Sequence, residues 1–190
     1  MYDLHGIIFA YSASPELGEL VRRRTAASLP FCGRYRLIDF ALSSMMNAGI
    51  RDVGVIMQRD YQSLLDHIGS GKNWDMSRRY GGLRMLPPFG LPEYHRGNYT
   101  GTIEALNAVA PYVRSIPQKH IALLLGSVCA NIDLTAAMRQ HVKTGAEITA
   151  ICSAGELTGS NHRYVIGDDG MVKQLLFDRT DPGEGIPSLE

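Results

Sequence analysis

Arg36-Leu37-Ile38-Asp39-Phe40-Ala41-Leu42-Ser43-Ser44-Met45-Met46-Asn47-Ala48-Gly49-Ile50-Arg51-Asp52-Val53-Gly54-Val55-Ile56-Met57 switches its hydrophobic period once, and the switch sets the fold class. In the first half Leu37, Ile38, Ala41, Leu42, Met45 and Met46 form one apolar helical stripe, and Asn47-Ala48-Gly49 supplies the stop. In the second half Val53, Val55 and Ile56 fall within Asp52 to Met57, which reads as a strand. Upstream, Gly6-Ile7-Ile8-Phe9-Ala10 is a short apolar run suited to a strand buried on both faces. Residues 11–35 between them are rich in turn formers and polar groups, a long loop with a helical turn. Downstream, Tyr61 to Ile68 reads as a helix, and Ser70 to Pro92 as irregular chain. A helix is expected after Gly101 with Ile103, Leu106, Val109 or Ala110, and Val113 on one face. Ile121 to Leu125 reads as a buried strand, Leu134 to Thr144 as a helix closed by Gly145, and Glu147 to Cys152 as another strand. Arg163 to Phe177 reads as two strands about the turn Asp168-Asp169-Gly170. Strands alternating with helices imply an α/β domain with a mostly parallel sheet. Asp181 to Pro187 is loop-like, so the chain is expected to stop inside its domain.

Composition narrows the function classes. A chain of 190 residues fits one domain or most of one, and can bury a core without disulfides or metals. Hydrophobic residues are 45% and charged residues 20%, an ordinary globular mix. Nineteen basic against nineteen acidic residues leave no footprint of a nucleic-acid or membrane-surface binder. No apolar run reaches transmembrane length, and Met1 to Ala10 lacks the basic start of a secretory signal. Cys32, Cys129 and Cys152 form no CxxC pair and no metal spacing, so they are expected to be reduced core thiols in a cytoplasmic protein. The six histidines form no HxxxH or HxH pair, which argues against zinc.

In open α/β sheets, ligands bind beyond the carboxyl ends of the strands. The loop after the first strand commonly carries glycines, which let backbone N–H groups approach phosphates. Here that loop is Tyr11-Ser12-Ala13-Ser14-Pro15-Glu16, with no glycine. Pro15 has no N–H to donate, Tyr11 is bulky, and Glu16 is an anion facing a would-be polyanion.

Leu29-Pro30-Phe31-Cys32-Gly33-Arg34-Tyr35-Arg36-Leu37-Ile38-Asp39-Phe40-Ala41-Leu42-Ser43 resembles the PFGGKYRLIDFALSN block of the ADP-glucose pyrophosphorylases, or glucose-1-phosphate adenylyltransferases. Asn47-Ala48-Gly49-Ile50, Gln58, Ser63-Leu64 and His67-Ile68 continue the likeness. Tyr99-Thr100-Gly101-Thr102-Ile103-Glu104-Ala105 is similar to the family's Y-R-G-T-A-D/E-A motif. Leu125-Gly126-Ser127, then Asn131-Ile132-Asp133, is similar to its strand-end AGD segment and the loop beyond. The resemblance runs from about Gly6 to Phe177. It implies a Rossmann-like nucleotidyltransferase domain with a mostly parallel mixed sheet, and one partial domain over residues 1–190. On this resemblance the chain is expected to end before the family's left-handed β-helix domain.

The departures are as specific as the matches. The family's L-A-G-G-x-G-S/T-R-L loop, laid on this chain without a gap, puts its three glycines on Tyr11, Ser12 and Ser14 and its arginine on Glu16. The later lysine falls on Ala26 and its proline on Ala27, while Arg24 keeps an arginine of that block. The metal-binding aspartate falls on Ser127. The family reaction is attack of a sugar phosphate on the α-phosphate of ATP, and such catalysis is mainly positioning and charge neutralisation. A carboxylate about 4 Å from a phosphate, at an effective dielectric near 20, repels it by roughly 4 kcal/mol per charge pair. Loss of one charge-stabilising group commonly costs about 3–4 kcal/mol in the transition state.

This pattern resembles the family's non-catalytic D-type subgroup, as do Gly69-Ser70-Gly71-Lys72-Asn73-Trp74-Asp75, Gly81-Gly82-Leu83 and Leu86-Pro87-Pro88-Phe89. The resemblance implies a catalytically degenerate regulatory chain of glycogen biosynthesis. Its expected partner is a catalytic ADP-glucose pyrophosphorylase subunit, with which it forms a heterotetramer and whose activity it raises. Two alternatives stay open: an adenylyltransferase with an altered site, and a sensor that binds a sugar phosphate or nucleotide without turnover. No cofactor is expected, with Mg²⁺ only where nucleotide still binds. The shortened domain is expected to self-associate.

Gly69-Ser70-Gly71-Lys72 is not a P-loop, because Asp66 and Asn73 stand where Gly and Ser or Thr are required. Gln58, Gly101 and Thr102, with Ser12, are the nucleotide-facing candidates; packing and helix capping are the alternatives for Gln58 and Thr102. Arg24, Arg34 and Arg36 are candidates for binding an anionic effector, against a solvated loop face or salt bridges within the fold. Asp133 is a candidate residual metal ligand, but without an acid at Ser127 it reads rather as a cap for the helix that starts near Leu134.

Overall fold

The computed structural model describes residues 3–11, 15–58, 60–87, 99, 101–153, 162–177 and 185–187, without the side chains of Pro15 and Glu16. The chain divides into two compact units, Met1–Leu134 and Thr135–Glu190. The first contains β1 (Leu4–Phe9), β2 (Pro30–Phe31), β3 (Tyr35–Arg36), α1 (Ile38–Asn47), β4 (Val53–Ile56), α2 (Gln62–Ile68), β5 (Leu83–Leu86), α3 (Thr102–Ala108), α4 (Ala110–Arg114) and β6 (His120–Leu125). Helix α5 (Leu134–Thr144) starts at the boundary, and β7 (Arg163–Ile166), β8 (Val172–Leu176) and β9 (Ile186–Pro187) follow it.

The main sheet has the order β5-β4-β1-β6, and every pairing in it is parallel. Ile7 stands opposite Gly54 on one side and Leu123 on the other. β1 and β4 are interior strands, so their side chains are buried on both faces and read as unbroken apolar runs. The strand order reverses between β1 and β6, which puts the crevice of an open α/β sheet at their carboxyl ends.

Successive strand residues alternate between the two faces. On the even-numbered face of β1, α1 lies close to the backbone, because Gly6 has no Cβ to meet the Met45 sulfur. Ile38, Leu42 and Met45 of α1 are fully buried there, each contributing about 1.5–3 kcal/mol by leaving water. On the odd-numbered face Ile7, Phe9 and Ile56 pack with Tyr99 and Ala105, flanked by Leu106, Val109 and Val113. Gly54 leaves room for the Tyr112 ring on that side. In the first turn of α1 the Asp39 carboxylate accepts from the Arg36 N–H at 3.1 Å, where the helix dipole favours a negative charge. Gly49, at φ 78°, ends the helix as expected.

Several local expectations differ from the structure. The helix expected after Gly101 is two: α3 ends at Ala108, and α4 starts at Ala110 with Pro111 in its first turn. Pro111 has no N–H to bond the preceding turn, which breaks the helix there. Ile103 is 78% exposed and does not share the buried face. The Ser70 to Pro92 stretch is not wholly irregular, because it supplies β5 and a 3₁₀ turn at Lys72–Trp74 that buries Trp74. Ile121 and Leu123 of β6 are 38% and 47% exposed, since β6 is an outer strand of the sheet rather than a buried one. In the second unit Glu147 to Cys152 forms no strand of its own, and Ile148 is exposed. The β7–β8 pair about Asp168-Asp169-Gly170 is present, with Gly170 at φ 75°. Ile186–Pro187, expected in a loop, pairs antiparallel with β7. Cys32 and Cys129 are exposed and Cys152 is half-buried, so the expectation of core thiols does not hold. Among the described residues no helix is long and apolar enough to cross a membrane.

Candidate functional site

β1 and β4 run side by side in register and each continues beyond its last strand residue, so Tyr11 and Gln58 emerge together at their carboxyl ends. The Gln58 amide joins two separate segments. Its NH₂ donates to the Tyr11 carbonyl at 3.0 Å, and its oxygen accepts from the Tyr99 N–H at 2.7 Å. Above this tie the Tyr11 ring meets Tyr99 edge to face at 5.2 Å and Phe9 at 5.9 Å. The Thr102 side chain hydrogen-bonds the Tyr11 hydroxyl from the start of α3. Burial pushes the Tyr11 hydroxyl up from its ordinary value, the Thr102 bond opposes this, and Tyr99 and Glu104 add to the rise. Tyr99 is raised by burial and then by Glu104. Both phenols are therefore neutral at physiological pH and act as packing groups and hydrogen-bond partners.

The β1/β6 side of the crevice is packed by small residues. Ala26 and Ala27 lie in a 3₁₀ turn and are 1% exposed. Gly126, just past β6, donates its N–H to the Phe9 carbonyl at 2.8 Å. A Cβ placed on Gly126 would lie 3.1 Å from the Ala27 Cβ and 3.2 Å from Ile8, so the loop sits directly against the strand end. Ser127 follows, half-buried, and offers one neutral hydroxyl. Among the described residues no three His, Cys, Asp or Glu side chains are grouped to hold a metal. Mg²⁺ is commonly held by one or two carboxylates together with substrate phosphates, and just past β6 this chain offers the Ser127 hydroxyl in place of a carboxylate.

Residues 6–173 match the nucleotidyl transferase family. The chain belongs to that family. It is 37% identical over 178 residues to the "Glycogen biosynthesis protein GlgD" of Geobacillus stearothermophilus, covering 94% of this chain and 50% of the relative. It is 30% identical over 178 residues to the protein of the same description from Bacillus subtilis, with the same coverage. It is 36% identical over 192 residues to a "Glucose-1-phosphate adenylyltransferase" of Thermomicrobium roseum, covering 100% of this chain and 45% of the relative. The chain thus spans about half the length of the curated relatives it matches.

In this nucleotidyl transferase chain the site residues expected from sequence fall into three groups. Tyr11, Gln58 and Thr102 come together at one strand end, and the neighbouring Gly101 is exposed. Ala26 and Ser127 lie on the β1/β6 side. Ser12 and Ser14 lie outside the described residues, and Glu16 falls in the 3₁₀ stretch Pro15–Val21. Of the arginines, Arg24 is exposed, and the Arg34 guanidinium lies 5.6 Å from the centre of the exposed Tyr35 ring. Arg36 is committed within the fold: it donates to the Ser63 carbonyl and, at 2.7 Å, to the Ser63 hydroxyl on α2. Tyr99 was missed as a site residue. Its sequence signal is its place at the head of the Tyr99–Ala105 motif, with nothing to tell that it meets Tyr11 from 88 positions away in the chain.

Proposed function

We propose that this chain is a non-catalytic, regulatory member of a glucose-1-phosphate adenylyltransferase assembly in glycogen biosynthesis, and that it raises the activity of a catalytic sister subunit. The observation that carries the reading is the crevice at the end of β1, where the chain's own groups satisfy one another. Gln58 spends its amide on the backbones of Tyr11 and Tyr99, and the Tyr11 ring packs between Phe9 and Tyr99. Phosphoryl-group chemistry needs cations and metal to offset charge, and a phenol, a methyl group and a hydroxyl at Tyr11, Ala26 and Ser127 supply none. The likeness to the two GlgD proteins supports the glycogen role, and the likeness to the adenylyltransferase supports the identity of the partner.

The test uses the complete chain, alone and mixed with a catalytic glucose-1-phosphate adenylyltransferase, supplied with ATP, Mg²⁺ and glucose 1-phosphate. The expected result is no pyrophosphate from the chain alone, co-elution with the sister chain, and a several-fold rise in its rate. Pyrophosphate release by the chain alone overturns the non-catalytic reading. A sister enzyme whose rate and elution are unchanged overturns the regulatory one. Saturable ATP binding without turnover and without an effect on the sister moves the reading to a sensor.

A further inference from the structure

We propose that the Tyr11 side chain is a built-in occupant of a planar-ring site, and that removing its ring opens the crevice to the base of an uncharged nucleoside. The inference rests on the reading of a degenerate nucleotide crevice and deepens it. Three observations carry it. The first is place: Tyr11 stands just past β1, at the carboxyl end of the parallel sheet, where α/β folds bind their ligands. The second is surroundings: the ring has an aromatic neighbour in Phe9 at 5.9 Å and another in Tyr99 at 5.2 Å, both edge to face. At its far end the hydroxyl takes a hydrogen bond from Thr102. A flat ring with a polar group on its outer edge fits that frame, and a nucleobase has both features. Edge-to-face packing favours such a ring beyond its burial alone.

The third observation concerns what holds the frame open. Gln58 binds the backbone carbonyl of residue 11 and the backbone N–H of residue 99, not the phenol. The walls therefore stay in register when the Tyr11 ring is removed. Tyr11 is half-buried, so removing its ring leaves a half-open space bordered by Phe9 and Tyr99, which a ligand of the missing shape fits. The uncharged nucleoside is the relevant ligand because Ala26 and Ser127 offer phosphates no cation and no metal.

The experiment is calorimetric titration of the complete chain with adenosine, and separately with phenol as an analogue of the missing side chain. Wild type is compared with Tyr11→Gly, Tyr11→Ala and Tyr11→Phe, with near-ultraviolet circular dichroism as the folding control. Tyr11→Gly and Tyr11→Ala are expected to bind adenosine and phenol saturably, at least tenfold more tightly than wild type. Tyr11→Phe keeps the ring and is expected to remain closed. Wild type binding adenosine as tightly as Tyr11→Ala overturns the proposal. So does a folded glycine or alanine variant that binds neither probe. Neither outcome changes the pyrophosphate assay, so failure of the plug and failure of the regulatory reading are told apart. Should Tyr11→Gly not fold, Tyr11→Ala alone decides.

Discussion

At the scale of single residues, polar side chains bond across the chain at both ends of the sheet. At the carboxyl end Gln58 is tied to Tyr11 and Tyr99. At the amino end His5 of β1 is 4% exposed, and its Nε2 lies 2.9 Å from the Tyr112 hydroxyl. Burial lowers the His5 pKa below its ordinary value; Asp52 and Gln118 oppose this, and Arg84 adds to it. Tyr112 is pushed up to about 12, chiefly by burial, with Arg84 opposing and Asp52 adding. The sign for His5 follows from linkage: the unfolded chain takes up the proton at higher pH than the folded one. The stabilisation is therefore complete above the unfolded value of about 6.5 and is lost as pH falls toward the lowered folded value. The urea midpoint is expected to drop between pH 7.5 and pH 5.5, and to drop less in His5→Phe. Equal drops in the two proteins would remove His5 as the cause. Sequence showed part of this scale. Tyr11 in place of glycine was legible as a loss of phosphate contacts, because a missing glycine is a local fact. Its second meaning, a ring packed against Tyr99 and Thr102, depends on a contact across most of the first unit, for which no local pattern exists.

Whole elements were legible where periodicity was strong, and illegible where one residue overrode it. α1 and β4 follow their apolar spacing, and the Gly49 stop falls where expected. β5 escaped notice because Leu83 to Leu86 is only four residues long and sits among glycines and prolines. Pro111 divided one helical stripe into α3 and α4. The junction of α1 with α2 was also hidden. Asp39 in the first turn of α1 meets His67 near the end of α2 at 2.6 Å, and Arg36 reaches Ser63 on the same helix. The Asp39 and His67 side chains are only 11% and 18% exposed, so the contact is little screened by water. The Asp39 carboxylate also bonds the Arg36 N–H, so it serves helix start and helix pairing together. Hydrogen bonds to a charged group contribute about 1.5–3 kcal/mol. Asp39→Ala is expected to lower unfolding free energy by about that amount, read as a shift of the urea midpoint at constant slope. Asp39→Asn, which keeps an acceptor oxygen, is expected to lose less. A midpoint unmoved by the alanine variant would mean that the apolar face of α1 alone sets its position.

For the molecule as a whole, the two units differ in how much backbone they shelter. In the first, β1 and β4 lie between neighbouring strands, with side chains buried on both faces by α1 on one side and the α3–α4 pair on the other. In the second, β8 exposes Val172 to Leu175 and buries only Leu176. Val172 is 46% exposed, and Met171 beside it 49%. Local opening costs least where few apolar contacts cover the backbone hydrogen bonds and approaches the global unfolding free energy in core strands. Hydrogen exchange followed by mass spectrometry should therefore be graded along the chain. Peptides spanning Leu4–Phe9 and Val53–Ile56 are expected to exchange slowest, at a rate set by global unfolding. Peptides spanning Val172–Leu176 are expected to exchange by local opening, orders of magnitude faster. Added urea separates the two mechanisms: exchange through global unfolding accelerates with the full unfolding slope, and local opening hardly responds. Equal protection in both sets of strands, with the same urea response, would mean that the chain unfolds as one cooperative body despite its division into two units.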